Sequence, residues 1–294
     1  LKFEGIIPAF VSPLSEDNTI KEAVTRKLLA YEIAMGADGF YICGATGEGL
    51  VMQPEERKKL CEIAVDEIKG KKPIITHIAA MDMKTTIDLA KHAENAGVDC
   101  IASVPPFYFV YDDNDIYNYY KELAASVHIP VMIYYHPAAK ADMKAELIAQ
   151  LFEIDNVTAV KWSSGNYFEL LKLKQMTNGE MNIINGPDEM LVCGLAAGAD
   201  GGIGSTYNVM LKEYKAIYHF FQNGQIEKAR NMQMKVNRVV SEMIQHKVIP
   251  SVKYALELLG FDVGNATFPM KRFTIEEKKQ LEAQLHALGW PFQP

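Results

Sequence analysis

Three short joints of one kind constrain the fold most strongly. They are Met35-Gly36-Ala37-Asp38-Gly39, Ala96-Gly97-Val98-Asp99 and Ala197-Gly198-Ala199-Asp200-Gly201. Each follows a stretch with helical spacing and precedes a short apolar run. Such a joint reads as a helix ending on a left-handed glycine, at Gly36, Gly97 and Gly198, and turning directly into a strand. Three joints of this type predict repeated α-to-β units and a parallel sheet.

The apolar runs between the joints give eight short strands, at 5–10, 39–43, 74–78, 100–104, 131–135, 157–161, 182–185 and 201–203. Helical patterns separate them, at 20–35, 54–69, 84–96, 113–126, 145–153, 167–176 and 189–197. Pro54 with Glu55 and Glu56 makes a favourable helix start, and Gly70 a favourable stop. Eight alternating units fit an α/β fold of the (β/α)8 TIM barrel type, with a doubly wound sheet as the competitor. After about residue 205 the strand signals cease, and 209–222, 226–245, 251–259 and 275–288 all read as helices. The expected organisation is a barrel over 1–224, closed by the first of these helices, and a C-terminal helical extension over 225–294 that packs on it.

Composition narrows the class. At 294 residues, 49% hydrophobic and 23% charged, the chain is ordinary globular protein. A net charge of −7 argues against nucleic acid as a partner, because a phosphate backbone calls for a basic face. No apolar run reaches the 18 residues that suggest a membrane span, and because the opening runs almost directly into a strand pattern, no signal peptide is expected. Cys43, Cys61, Cys100 and Cys193 form no Cys-x-x-Cys pair. Each lies in or beside an apolar segment, which suits reduced, buried thiols in a cytoplasmic protein.

In a barrel of this kind chemistry gathers where the strands end. Val157-Thr158-Ala159-Val160-Lys161-Trp162 places a lysine at the end of a strand expected to be buried. Burial disfavours the ammonium form, and a neutral lysine is a nucleophile suited to forming an imine with a ketone. The competing reading is a stem that covers apolar surface while its charge reaches water. Gly44-Ala45-Thr46-Gly47-Glu48-Gly49 follows the second strand. It lacks both the Walker and the dinucleotide spacing. It could hold a carboxylate on the amides of Ala45 and Thr46 and the Thr46 hydroxyl, or be a plain turn, and Glu48 would repel a nearby phosphate. Tyr134 and His136 follow the fifth strand. A strand-end tyrosine can shuttle a proton, although most of the chain's 14 tyrosines must serve packing. His136 has no second ligand at supporting spacing, so no metal is assigned. Gly186-Pro187-Asp188-Glu189 could accept hydrogen bonds from a polyhydroxylated substrate or be an acidic helix start. Ser205, Thr206 and Asn208 offer further polar groups or a helix cap.

Taken together, Gly44-x-Thr46-Gly47-Glu48, Tyr134-x-x-Pro137 and Lys161 resemble the family of pyruvate-dependent class I aldolases that holds N-acetylneuraminate lyase and dihydrodipicolinate synthase. The resemblance runs from Gly5-Ile6-Ile7-Pro8-Ala9-Phe10 to at least Asn208. It implies a (β/α)8 barrel with a helical tail, commonly a homotetramer, acting on a 2-keto acid without a cofactor because a covalent imine does the work. By resemblance Lys161 is the imine-forming lysine and Tyr134 the proton-transfer tyrosine. Ala45 and Thr46 hold the ketoacid carboxylate, and Tyr108 reaches into a neighbouring subunit's site. Gly186, Asp188, Glu189 and Ser205 match the positions that hold the sugar tail in the sialic acid lyases.

The chain departs from the family pattern in four places. Ala45 replaces a Ser or Thr, and Tyr135 stands where Asn or His is usual. Lys140-Ala141 replaces Ser/Thr-Gly. The arginine with which the synthase binds a second carboxylate is Ala139 here, with Lys140 beside it as a partial substitute. The expected activity is cleavage of N-acetylneuraminate to pyruvate and N-acetylmannosamine. The alternatives are dihydrodipicolinate synthesis, aldol cleavage or dehydration of another sugar acid, and, prompted by Ala45, ketoacid binding without turnover.

Overall fold

The computed structural model describes residues 2–140 and 143–292, so Ala141 lies outside the described residues. Its strands are β1 (Gly5–Pro8), β2 (Phe40–Ile42), β3 (Ile74–His77), β4 (Cys100–Ser103), β5 (Val131–Tyr135), β6 (Val157–Trp162), β7 (Asn182–Asn185) and β8 (Gly201–Gly204). All pair in parallel, in the order β1-β8-β7-β6-β5-β4-β3-β2. The Ala9–Tyr41 bridge draws the two ends of the sheet together, and the Phe10 amide donates to the Tyr41 carbonyl at 2.9 Å. This is the (β/α)8 barrel that the joints predict. Gly36, Gly97 and Gly198 have φ of +95°, +93° and +96°, the left-handed turn each joint requires.

The barrel helices are α1 (Glu22–Ala34), α2 (Pro54–Ile68), α3 (Met83–Ala96), α4 (Asp113–Ala125), α5 (Ala145–Phe152), α6 (Tyr167–Met176), α7 (Leu191–Ala196) and α8 (Tyr207–Gln222). The alternation of each strand divides the core in two. Inward residues such as Ile7, Tyr41, Ile75, Ala102, Met132, Tyr134, Ala159 and Ile184 fill the barrel. Ile133, Tyr135, Val160 and Trp162 point outward and pack under the helices. Tyr135 therefore leaves the site and meets Trp162 edge-on at 4.9 Å.

Beyond α8 come α9 (Ile226–Gln245), α10 (Val248–Leu258) and α11 (Ile275–Ala287). They are tied to the barrel. The Leu14 amide donates to the Val263 carbonyl at 3.0 Å, and Trp290 Nε1 donates to the Val209 carbonyl at 3.2 Å. The helix expected from residue 251 starts three residues earlier. Pro250 is no obstacle there, because a first-turn residue needs no amide hydrogen. The strand expected to reach Cys43 stops at Ile42, since Cys43 turns left-handed at φ +56°. Residues 188–190 form a 3-10 turn, so the helix expected from residue 189 is the short α7. Cys193 on α7 is exposed, against the expectation of four buried thiols, because its helix turns that face to solvent.

Candidate active site

Tyr134 on β5 and Lys161 on β6 are direct partners in the strand ladder, so both side chains enter the barrel at one level. Lys161 is 5% exposed. Its Nζ lies 4.2 Å from the Tyr134 ring centre and 4.5 Å from that of Tyr41 on β2. Two aromatic faces replace water over much of this amine. Burial lowers its pKa to about 7, although Asp188 pulls the other way. Burial raises the Tyr134 phenol to about 12, with a Ser163 hydrogen bond acting against the rise.

The glycine-rich loop after β2 brings Ala45 and Thr46 over the same mouth. Ala45 is exposed, and the Thr46 hydroxyl is 2.7 Å from the Ser205 hydroxyl, which joins this loop to the end of β8. Glu48 turns away from the mouth. It is buried against the C-terminal helices, with its Oε1 2.5 Å from Lys253 Nζ and its Oε2 accepting from the Thr267 amide at 2.6 Å. It therefore presents no negative charge to a ligand in the loop.

Lys161, Thr46, Ser163, Gly186, Glu189 and Ser205 line one cavity of about 340 Å³, together with Ala45, Tyr134 and His136. Its wall is rich in hydroxyl, carboxylate and amine groups. Asp188 stands behind that wall. Its Oδ2 accepts from the Thr206 amide at 2.6 Å and from the Thr206 hydroxyl at 2.7 Å, and burial raises its pKa to about 6. Gly204 makes room for this carboxylate, because a Cβ there would collide with it. A second cavity of about 210 Å³ adjoins the first, bordered by Ala45, Tyr134 and His136 and walled by Leu50, His77, Val104, Phe107, Ala138 and Ala139.

Tyr108 is 84% exposed with φ +79°, beside Phe109 at 66% and Val110 at 102%. It lies outside both cavities, at the tip of the segment after β4. Lys140 is engaged elsewhere, donating to the Tyr111 carbonyl at 2.8 Å.

Sequence reasoning singled out neither Tyr41 nor His77. Each is an inward residue of a short strand, and only the two-residue alternation marks them. His136, left without a role in the sequence reading, stands at the junction of both cavities. Its Nδ1 accepts from the Ala138 amide at 3.1 Å, and burial together with Lys161 lowers its pKa.

Residues 2–288 match the model of the dihydrodipicolinate synthetase family. The chain is 32% identical over 283 residues to an N-acetylneuraminate lyase of Clostridium perfringens, covering 95% of this chain and 98% of that one. Among solved structures it is similar to CdNal from Clostridium difficile in complex with mannosamine, with a TM-score of 0.94 and 29% identity over 98% of this chain and 100% of that one. A dihydrodipicolinate synthase of Bacillus anthracis is nearly as similar, with a TM-score of 0.93 and 27% identity over 98% and 99% of the two chains.

Proposed function

The chain belongs to the dihydrodipicolinate synthetase family and is a lyase, and from that premise we propose that it cleaves N-acetylneuraminate to pyruvate and N-acetylmannosamine through an imine on Lys161. The observation that carries this reading is the buried amine, brought to about 7 beside a buried phenol on the next strand.

Neutral Lys161 adds to the C2 ketone of the open-chain sugar acid. The Tyr134 phenol gives its proton to the departing carbinolamine oxygen, which leaves as water. The phenolate so formed faces a cationic imine. It takes the C4 hydroxyl proton as the C3–C4 bond breaks, and the bonding pair moves into the imine to give an enamine. The aldehyde departs. Tyr134 then returns the proton to C3, and water hydrolyses the pyruvate imine to free the lysine. The imine itself is the electron sink, so the scheme calls for no metal or organic cofactor.

Thr46 and the Ala45 amide hold the carboxylate. Gly186, Glu189 and Ser205 face the hydroxylated chain, and Asp188 positions their segment through Thr206, consistent with catalysis by orientation. Ala139 supplies no cation for a second carboxylate, and Lys140 Nζ is held on the Tyr111 carbonyl, which weighs against the synthase reaction. A homotetramer fits the exposed Tyr108-Phe109-Val110 tip, an apolar projection that a neighbouring subunit would cover.

Pyruvate release from N-acetylneuraminate, set against condensation of pyruvate with aspartate semialdehyde, tests the substrate. Cleavage without condensation supports the proposal, and the reverse result overturns it. The amine gives a separate expectation. Trapping of pyruvate with cyanoborohydride should rise with pH through about 7 and level off above it, because the free base is the nucleophile. A midpoint near the ordinary lysine value of 10.5 would mean a solvated ammonium group.

A further inference from the structure

Glu32 breaks the pattern of its helix. Thr25, Leu28, Leu29 and Glu32 form the buried face of α1, at the spacing that turns an apolar stripe to the core. Glu32 is 0% exposed, and neither of its carboxylate oxygens has a hydrogen-bond partner among the described residues. Burial pushes its carboxyl well above the ordinary carboxylate range. A buried polar group without a partner costs stability, and a leucine would suit the stripe better.

Glu32 lines a cavity of about 100 Å³ between α1, α8 and the C-terminal tail. One water needs on the order of 10–15 Å³, so this space takes a molecule of several heavy atoms. Met35, Val209, Leu211, Leu259, Pro291 and Phe292 make most of its wall apolar. Pro291 is exposed and Phe292 half-buried, so the cavity opens beside the tail. It shares no lining residue with either cavity at the barrel mouth.

Glu213 on α8 lines the same space, half-buried, and burial raises its pKa too. Lys235 and Lys212 act on Glu213 less strongly than its burial does, and Lys212, the basic residue in the lining, is exposed. Among the described residues no cluster of three His, Cys, Asp or Glu forms that could hold a metal ion. Two acids set in an apolar wall, one of them fully buried and unpaired, match a compact organic cation.

We propose that this cavity is a second small-molecule site that binds a primary alkylammonium ion, its nitrogen on the Glu32 carboxylate and its alkyl chain against Leu211, Leu259 and Phe292. The ammonium group gives Glu32 the charge-assisted hydrogen bond it otherwise lacks. Glu213 adds a second negative charge at the same cavity. The site needs neither the imine nor a sugar acid.

Isothermal titration of the full chain with butylammonium chloride tests this, with butanol and butyrate as the neutral and anionic molecules of similar length. Butylammonium should bind saturably at one site per chain, and the other two at least tenfold more weakly. Glu32→Gln keeps the shape and removes the charge. It should weaken butylammonium binding by about 10- to 100-fold, the scale of a hydrogen bond to a charged group. Leu259→Trp fills the cavity from another segment and should abolish binding with Glu32 in place, which keeps the test open if the first variant fails to fold. No saturable binding, equal binding of butanol, or binding unchanged in either variant overturns the site. None of these results bears on the chemistry of Lys161.

Discussion

Lys161→Met is expected to abolish borohydride trapping of pyruvate and to cut pyruvate release by about 10,000-fold or more, the scale on which loss of a covalent nucleophile is felt. The same change should make the protein more stable at pH 7. An unfolded lysine titrates near 10.5, and this one titrates near 7 when folded. Between those values the unfolded chain binds more protons, so stability rises with pH across that window. The burial cost is fully present below the folded pKa, and Met removes it without changing shape greatly. Mass spectrometry after reduction reads the first outcome, and urea melts at pH 7 read the second. Retained trapping would refute the assignment of the amine. Lost stability alongside lost activity would show that the lysine is part of the packing and not a group held at a cost.

Glu48→Ala should be the most damaging single change to stability outside the barrel interior. The Glu48–Lys253 pair is almost wholly buried, with side chains 0% and 2% exposed. Removing one member strands the other charge, at a cost of about 3–5 kcal/mol. The Thr267 amide loses its acceptor as well. Among the described residues Lys253 is left with the Asn265 carbonyl, to which its Nζ donates at 3.0 Å. The double change Glu48→Leu with Lys253→Met should recover much of the loss, since an apolar pair leaves no stranded charge. Denaturant midpoints of the wild type, Glu48→Leu, Lys253→Met and the double variant form the cycle that measures it. A double-variant loss equal to the sum of the two single losses would mean that the two charges do not depend on each other.

The fold was readable because it depends on local signals. A glycine that must turn left-handed, an apolar run of four or five residues and a charged helix start are all written in neighbouring residues. The short strands still ended a residue or two early where the backbone broke, as at Cys43, and no periodicity marks such a break. The site was legible where a motif supplied residue types, as with Tyr134 and Lys161. It was not legible where orientation decides. Glu48 sits in the same short loop as Thr46 yet faces the C-terminal helices. Asp188 adjoins Glu189 but spends its carboxylate on Thr206. Which way a side chain leaves a turn depends on partners far along the chain, here residues 206, 253 and 267. The smaller cavity has walls from three loops and two strands, and no local pattern announces it.

The shared rung of the ladder between β5 and β6 has a wider consequence. The spacing of amine and phenol is inherited from the distance between adjacent backbones, about 4.8 Å, while the groups that would choose the substrate hang mostly from the turns above. Bond making and molecular choice are thus built on different foundations. Exchanging those turns for others should change what is cut and leave how it is cut untouched, which makes this scaffold a natural starting point for redirecting carbon–carbon cleavage.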